Sequence, residues 1–113
     1  DVMVRSVPAK RLQLNGQDVY VATVFELFGS YLGVDRGLGG ECAKSYADNI
    51  PFTPAWQEKI TGVEAQYAIT LAREFATAAS KTQGRACVLM GAGVNQWFQT
   101  DNTYRSIINI LLM

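Results

Sequence analysis

The chain contains no histidine. That absence excludes Ser-His-Asp and Cys-His nucleophilic machinery and any histidine-ligated zinc. Its two cysteines, Cys42 and Cys87, lie far apart and form no CxxC pair. They cannot hold a four-ligand metal site or an iron–sulfur cluster by themselves, and they read as ordinary thiols of a reducing compartment. There is no excess of charge either. Ten basic and ten acidic side chains cancel, so nothing builds the positive field that nucleic acid or an anionic membrane surface would select. No stretch approaches the roughly 18–20 consecutive apolar residues needed to span a bilayer. The terminal apolar run, Ile110-Leu111-Leu112-Met113, is where the chain stops. The start shows no charged-then-apolar secretion signal and no initiator methionine. Both ends are therefore expected to be cuts in a longer protein.

What remains is the composition of a globular protein. Of 113 residues, 49% are apolar and 18% are charged, enough for one modest domain with a single hydrophobic core. Residues 11–22 predict a β-hairpin: Leu12 and Leu14 alternate with polar neighbours, Asn15-Gly16 supplies the turn, and Val19 and Val21 resume the alternation. Thr23 is placed as the N-cap of a short helix bearing Val24, Leu27, Phe28 and Tyr31 on one face, with Gly33 near its end. Residues 34–52 are irregular and glycine-rich, follow no strand and contain no GxxxxGK[ST] phosphate loop, so they read as a surface loop.

Thr53-Pro54 predicts a helix start with proline at the first position, where its missing N–H costs nothing. That helix stops at Gly62. A longer one is expected over 64–81, burying Ala65, Ala68 or Ile69, Ala72, Phe75 and Ala79. Its many alanines allow close approach to a sheet. After Gln83-Gly84, residues 85–90 lack alternation, which suits a central parallel strand buried on both faces. A glycine loop follows at 91–97, and Thr100-Asp101 opens a helix with Tyr104, Ile107, Ile108 and Leu111. The expected class is α/β: a layered, Rossmann-like arrangement with one buried parallel strand flanked by helices, preceded by a hairpin. The organisation reads as a hairpin or entry segment over 1–22 and an α/β portion over 23–113.

Ligands of open α/β sheets lie outside the carboxyl ends of the strands, which points to the loop at 91–97. Gly91 and Gly93 have no Cβ, so a large planar ligand can lie against the backbone. Asn95 and Gln96 add primary amides, each both donor and acceptor. Such groups orient a heterocycle and are poor proton carriers. On spacing alone the same residues serve equally well for tight packing and a capped turn. No catalytic residue and no metal ligand is assigned.

Four stretches taken together carry a resemblance: Thr53-Pro54-Ala55-Trp56, Ile60-Thr61-Gly62-Val63, Ala72-Arg73-Glu74-Phe75-Ala76, and Gly91-Ala92-Gly93-Val94-Asn95 with Trp97. Val7-Pro8, Leu12-Gln13-Leu14, Asp35-Arg36-Gly37-Leu38, Cys42-Ala43, Ser45-Tyr46 and Asp101 with Tyr104-Arg105 agree. Over essentially its whole length the chain resembles the catalytic alpha subunits of membrane-bound respiratory nitrate reductases, within the molybdopterin oxidoreductases. The resemblance implies an internal fragment of an enzyme that reduces nitrate to nitrite. It implies a parent carrying molybdenum bis(molybdopterin guanine dinucleotide) and a 4Fe-4S cluster, with none bound to this piece alone. It also implies an iron–sulfur beta subunit, a membrane cytochrome b gamma subunit, and a parent complex at the cytoplasmic face of the cell membrane. The piece itself is expected to be soluble, inactive alone and open to self-association.

By the same resemblance Ala92, Gly93, Asn95 and Gln96 are candidates for contact with the pterin or nearby substrate. The resembled enzymes usually read Asn-His-Trp here, with a second histidine beyond the tryptophan; this chain has Gln96 and Gln99. An Asn-Gln reading occurs in other molybdopterin branches, so pterin contact survives the change, whereas proton delivery from either position does not. The family's histidine-and-cysteine cluster motif is missing from the chain. Two further readings stand beside this one: another molybdopterin oxidoreductase, acting on selenate, chlorate or an organic substrate, and a non-catalytic α/β interaction module.

Overall fold

The computed structural model of the chain describes residues 3–112. The first residues of the expected entry segment, 1 and 2, and the end of the terminal apolar run, residue 113, lie outside that range. Two compact units emerge, one ending at Leu71 and one beginning at Ala72.

The first unit opens with the hairpin: β1 (Lys10–Leu14) pairs antiparallel with β2 (Gln17–Val21), with Leu14 opposite Gln17. Asn15 and Gly16 both take positive φ, 52° and 79°, the backbone of a type I′ turn, whose twist matches that of the strands. The helix α1 (Val24–Tyr31) follows, its cap as expected: Thr23 Oγ1 accepts from the Glu26 N–H at 3.1 Å. Residues 34–52 form no helix or strand and are tied back by an isolated bridge between Arg5 and Gly40.

Arg5 organises this region. Its Nε donates to Glu41 O at 2.9 Å and its Nη1 to Tyr31 O, at the carboxyl end of α1 where the helix dipole favours a cation. Its guanidinium also stands 5.8 Å from the Phe52 ring centroid, a cation–π distance. Phe52 continues an aromatic row, with ring centroids 4.9 Å from Tyr31 and 5.7 Å from Trp56.

The helix α2 (Pro54–Thr61) begins as its sequence predicts and ends at Gly62, whose φ of 73° is left-handed. Thr53 does more than cap it. Its hydroxyl accepts from the Trp56 N–H at 3.2 Å and reaches Asp48 O at 2.6 Å and Ile50 O at 2.9 Å. Thr53→Ala should therefore lose the cap and the tie together, costing about 1–2 kcal/mol. Amide exchange across residues 54–61 should accelerate correspondingly; unchanged protection there would show that Thr53 is dispensable.

Helix α3 (Ala65–Lys81) starts in the first unit, where Glu58 Oε2 accepts from the Ala65 N–H at 3.0 Å. Its carboxyl end, in the second unit, stops where expected, with Gln83 and Gly84 both left-handed. The second unit continues with α4 (Ala92–Asn95) and α5 (Thr100–Leu112).

The class is α/β, a hairpin followed by helices, but two finer expectations are corrected. Residues 85–90 form no strand, and the two-stranded hairpin is the only sheet among the described residues. A parallel strand needs ladder partners on its edges, and no described segment supplies one. Leu89 is 93% exposed in consequence. The single hydrophobic core is also absent: no apolar residue among those described is buried. The buried side chains are Ser30 at 3% and Thr53 at 6% exposure, both spent on backbone carbonyls. On α3 the anticipated periodicity survives as a half-buried stripe of Ala65, Ala68, Ile69, Phe75 and Ala79; Ala72 is exposed. Phe75 is thus half-buried, not core.

Candidate functional site

Ala92, Gly93 and Asn95 share the single turn of α4, and Gln96 follows as its C-cap with φ −103°. In helical geometry positions three and four apart lie on one face, so Asn95 stands over Ala92, and Gln96 over Ala92 and Gly93. All four residues are exposed. The structure thus brings the whole candidate set into one contiguous surface immediately after residues 85–90. A short helical turn replaces the expected irregular loop because Val94 N–H reaches Gly91 O at 3.1 Å.

The glycines leave room. A Cβ added at Gly91 or Gly93 would meet nothing within 4 Å, so no described protein atom accounts for the missing side chains there. Gln96 makes no side-chain hydrogen bond to any described residue. Asn95 does: its Oδ1 accepts from the Tyr104 hydroxyl, one of the contacts between α4 and α5. Thr100, one helical turn earlier on α5, donates to Val94 O at 3.0 Å and to Trp97 O at 2.5 Å. Between these pinned residues and α5, Gln99 takes a left-handed φ of 63° and its carbonyl accepts from Asn102 N–H at 3.0 Å. Trp97 and Phe98, 76% and 94% exposed, project beside the turn.

Sequence reasoning placed Thr100 and Tyr104 on a helix but gave neither a part in the loop. Their four-residue spacing is the signal: it puts both on the face that meets α4.

Chemically the surface offers carboxamides and open backbone. It has no nucleophile paired with a base, and no cluster of three or more His, Cys, Asp or Glu occurs among the described residues. Carboxamides can hydrogen-bond and orient a ligand but are poor proton carriers. Cys42 and Cys87 are free thiols. Elsewhere, the first unit carries an open groove of about 660 Å³ bordered by Asp35, Lys44, Ser45 and Thr53. Of its polar groups, Asp35 Oδ1 accepts from Gly37 N–H at 2.8 Å and Ser45 Oγ from Ala47 N–H at 3.2 Å.

No family model matches the chain. Whole-length similarity is nevertheless high. The nitrate reductase alpha chain of Bacillus subtilis is 46% identical over 112 residues, which is 99% of this chain and 9% of that protein. The respiratory nitrate reductase 2 alpha chain of Escherichia coli is 50% identical over 113 residues, 98% of this chain and again 9% of the relative. A respiratory nitrate reductase alpha chain from Bradyrhizobium is 53% identical over 91 residues, 75% of this chain and 10% of the relative. The chain therefore spans about a tenth of the length of the curated relatives that it matches.

Proposed function

We propose, from the premise that this chain is homologous to one segment of nitrate reductase alpha chains, that it works as part of an oxidoreductase reducing nitrate to nitrite. The observation that carries this reading is the 43–53% identity to such chains, extending in most of them over virtually every residue. Residues 23–113 then form a portion of the cofactor-binding domain, entered through 1–22. Ala92, Gly93, Asn95 and Gln96 form one side of a seat for molybdenum bis(molybdopterin guanine dinucleotide).

Their chemistry fits that part. A flat heterocycle presents donors and acceptors along its edges, which carboxamides match in kind, and the open space at Gly93 admits its close approach. The fit covers an edge, not an enclosure, so this turn is one contact among several in the whole subunit. When bound, the molybdenum group supplies the two-electron chemistry. This chain's own residues hold and orient: Gln96 as donor or acceptor, Asn95 from a pinned side chain, Trp97 as apolar cover. The described residues hold no metal-ligand cluster, so the metal and the 4Fe-4S cluster are assigned to other parts of the subunit.

The word alpha in the relatives' names marks a multi-chain enzyme. An iron–sulfur beta subunit and a membrane cytochrome b gamma subunit are the proposed partners, and the cytoplasmic face of the membrane the proposed location. Among the described residues no helix is long and apolar enough to cross a membrane.

The test is made in the full-length alpha chain within its complex. Gln96→Ala should lower nitrate turnover or molybdenum content roughly 10-fold, the lower end of what residues supporting a metal centre contribute. Wild-type kinetics with full molybdenum content would remove Gln96 from the site. Assayed beside nitrate, chlorate and selenate should be poorer substrates by kcat/KM; the reverse order would reassign the enzyme to another oxyanion.

A further inference from the structure

We propose that Asn15, at the tip of the β1–β2 hairpin, is a self-modification site. Its carboxamide is converted to aspartate and isoaspartate through attack by the backbone nitrogen of Gly16. The site lies apart from residues 92–96 and does not depend on the role given to them.

The chemistry needs only neighbouring atoms and water. Gly16 N attacks Asn15 Cγ, and the new C–N bond closes a five-membered imide. The Cγ–Nδ2 bond breaks, and Nδ2 leaves as ammonia with the proton that Gly16 N gives up. Water then opens the imide at one of its two carbonyls. Breaking the Cγ–N bond yields aspartate. Breaking the bond from the Asn15 carbonyl carbon to that nitrogen yields isoaspartate, with the main chain rerouted through Cγ. No oxidant or reductant is consumed.

The residue that follows singles out Asn15. A backbone nitrogen is least shielded when it belongs to glycine, which has no side chain. The other asparagines, Asn49, Asn95, Asn102 and Asn109, precede Ile50, Gln96, Thr103 and Ile110, whose side chains crowd the approach.

The fold leaves this site little protection. Ring closure requires Asn15 to leave the left-handed pair that it forms with Gly16, and only the hairpin holds that pair. All ten strand residues are exposed, and no other described helix or strand packs on them. No hydrogen bond to a described residue holds the Asn15 amide or the Gly16 N–H. A Cβ on Gly16 would meet no atom within 4 Å. A lone two-stranded hairpin is marginal in water, so it opens without the rest of the first unit, and the open form cyclises. Isoaspartate then adds a main-chain carbon to a two-residue turn whose length sets the strand register. The hairpin cannot close again as before.

The experiment ages the full-length alpha chain in its complex, with the 113-residue chain beside it, in neutral and mildly alkaline buffer. After cleavage at Lys and Arg, the peptide Leu12–Arg36 reports Asn15 by mass and by chromatography. In both samples Asn15 should convert before the other four asparagines, and faster in alkali, because the attacking nitrogen must shed its proton. Two products of equal mass should separate. Gln13 and Asp18 face each other across the hairpin. Gln13→Cys with Asp18→Cys, oxidised, ties it shut and should slow conversion roughly 10-fold or more, with reduction restoring the rate. Arg11→Ala removes the cross-strand ion pair to Asp18 and should speed conversion about 2-fold; it carries the same test where the cross-link does not close. An Asn15 that outlasts the other asparagines, in the complex or in the chain alone, overturns the proposal. So does aspartate as the sole product, the mark of direct hydrolysis, or a rate indifferent to the hairpin variants.

Discussion

Heated alone in solution, the 113-residue chain should lose its helices gradually, without a cooperative transition. The reason is the distribution of its apolar side chains. Burial of apolar surface is the dominant favourable term in folding, and it must offset a conformational entropy of comparable size. Among the described residues no apolar side chain is buried, while Leu71, Leu89, Trp97 and Phe98 stand well exposed. The local elements do not make up the difference. A lone two-stranded hairpin is marginal in water, and helices of 8 and 13 residues, such as α1 and α5, are near the length at which isolated helices fail. Far-UV circular dichroism should therefore show helix that melts broadly, near-UV signals should be weak, and a hydrophobic dye should bind at low temperature. A sharp calorimetric transition with the heat-capacity step of a 100-residue domain, about 1.4 kcal/mol/K, would contradict this account of the chain.

The second large effect is expected at Gly40. Its φ is 102°, and a Cβ built there would lie 2.9 Å from Val4 O and 3.0 Å from the Arg5 Cα. Both are backbone atoms that cannot swing away. Gly40 also forms the bridge to Arg5, beside the Glu41 N–H bond to Val4 O at 2.9 Å. Gly40→Val should thus combine left-handed strain with collision, on the order of 3 kcal/mol, and detach residues 3–6 from the loop. Gly37 is the control. Its φ of 71° is also left-handed, but no atom lies within 4 Å of its would-be Cβ. Gly37→Ala should cost only about 1 kcal/mol, the conformational part alone. Protection of the Glu41 amide reports the difference: lost in Gly40→Val, nearly kept in Gly37→Ala. Equal protection in both would mean that the tie does not depend on close approach at Gly40.

Reading from residues alone reached far into the local structure because the signals at element ends are local. Asn15-Gly16 turns the hairpin since both residues tolerate positive φ. Thr23 and Thr53 cap because a short hydroxyl reaches N–H groups three residues on, and Gly62 ends α2 because it enters the left-handed region freely. None of these needs a distant partner. That Ala92, Gly93, Asn95 and Gln96 fall on one exposed turn follows likewise from their closeness in the chain.

Other features depend on distant partners. Glu58 caps α3 from the helix before it, and Arg5 gathers Tyr31, Glu41 and Phe52 from well beyond its own segment. Tyr104 reaches back across a turn to Asn95. Residues 85–90 have the composition of a buried strand, yet composition supplies no ladder partners, and the described chain offers none. By itself, then, the order of residues determined where helices, turns and the hairpin begin and end, and which relatives the chain has. Tertiary structure alone decided what is buried and which apolar run is left without a sheet. Backbone preference acts over a few residues, whereas burial and strand pairing exist only between segments.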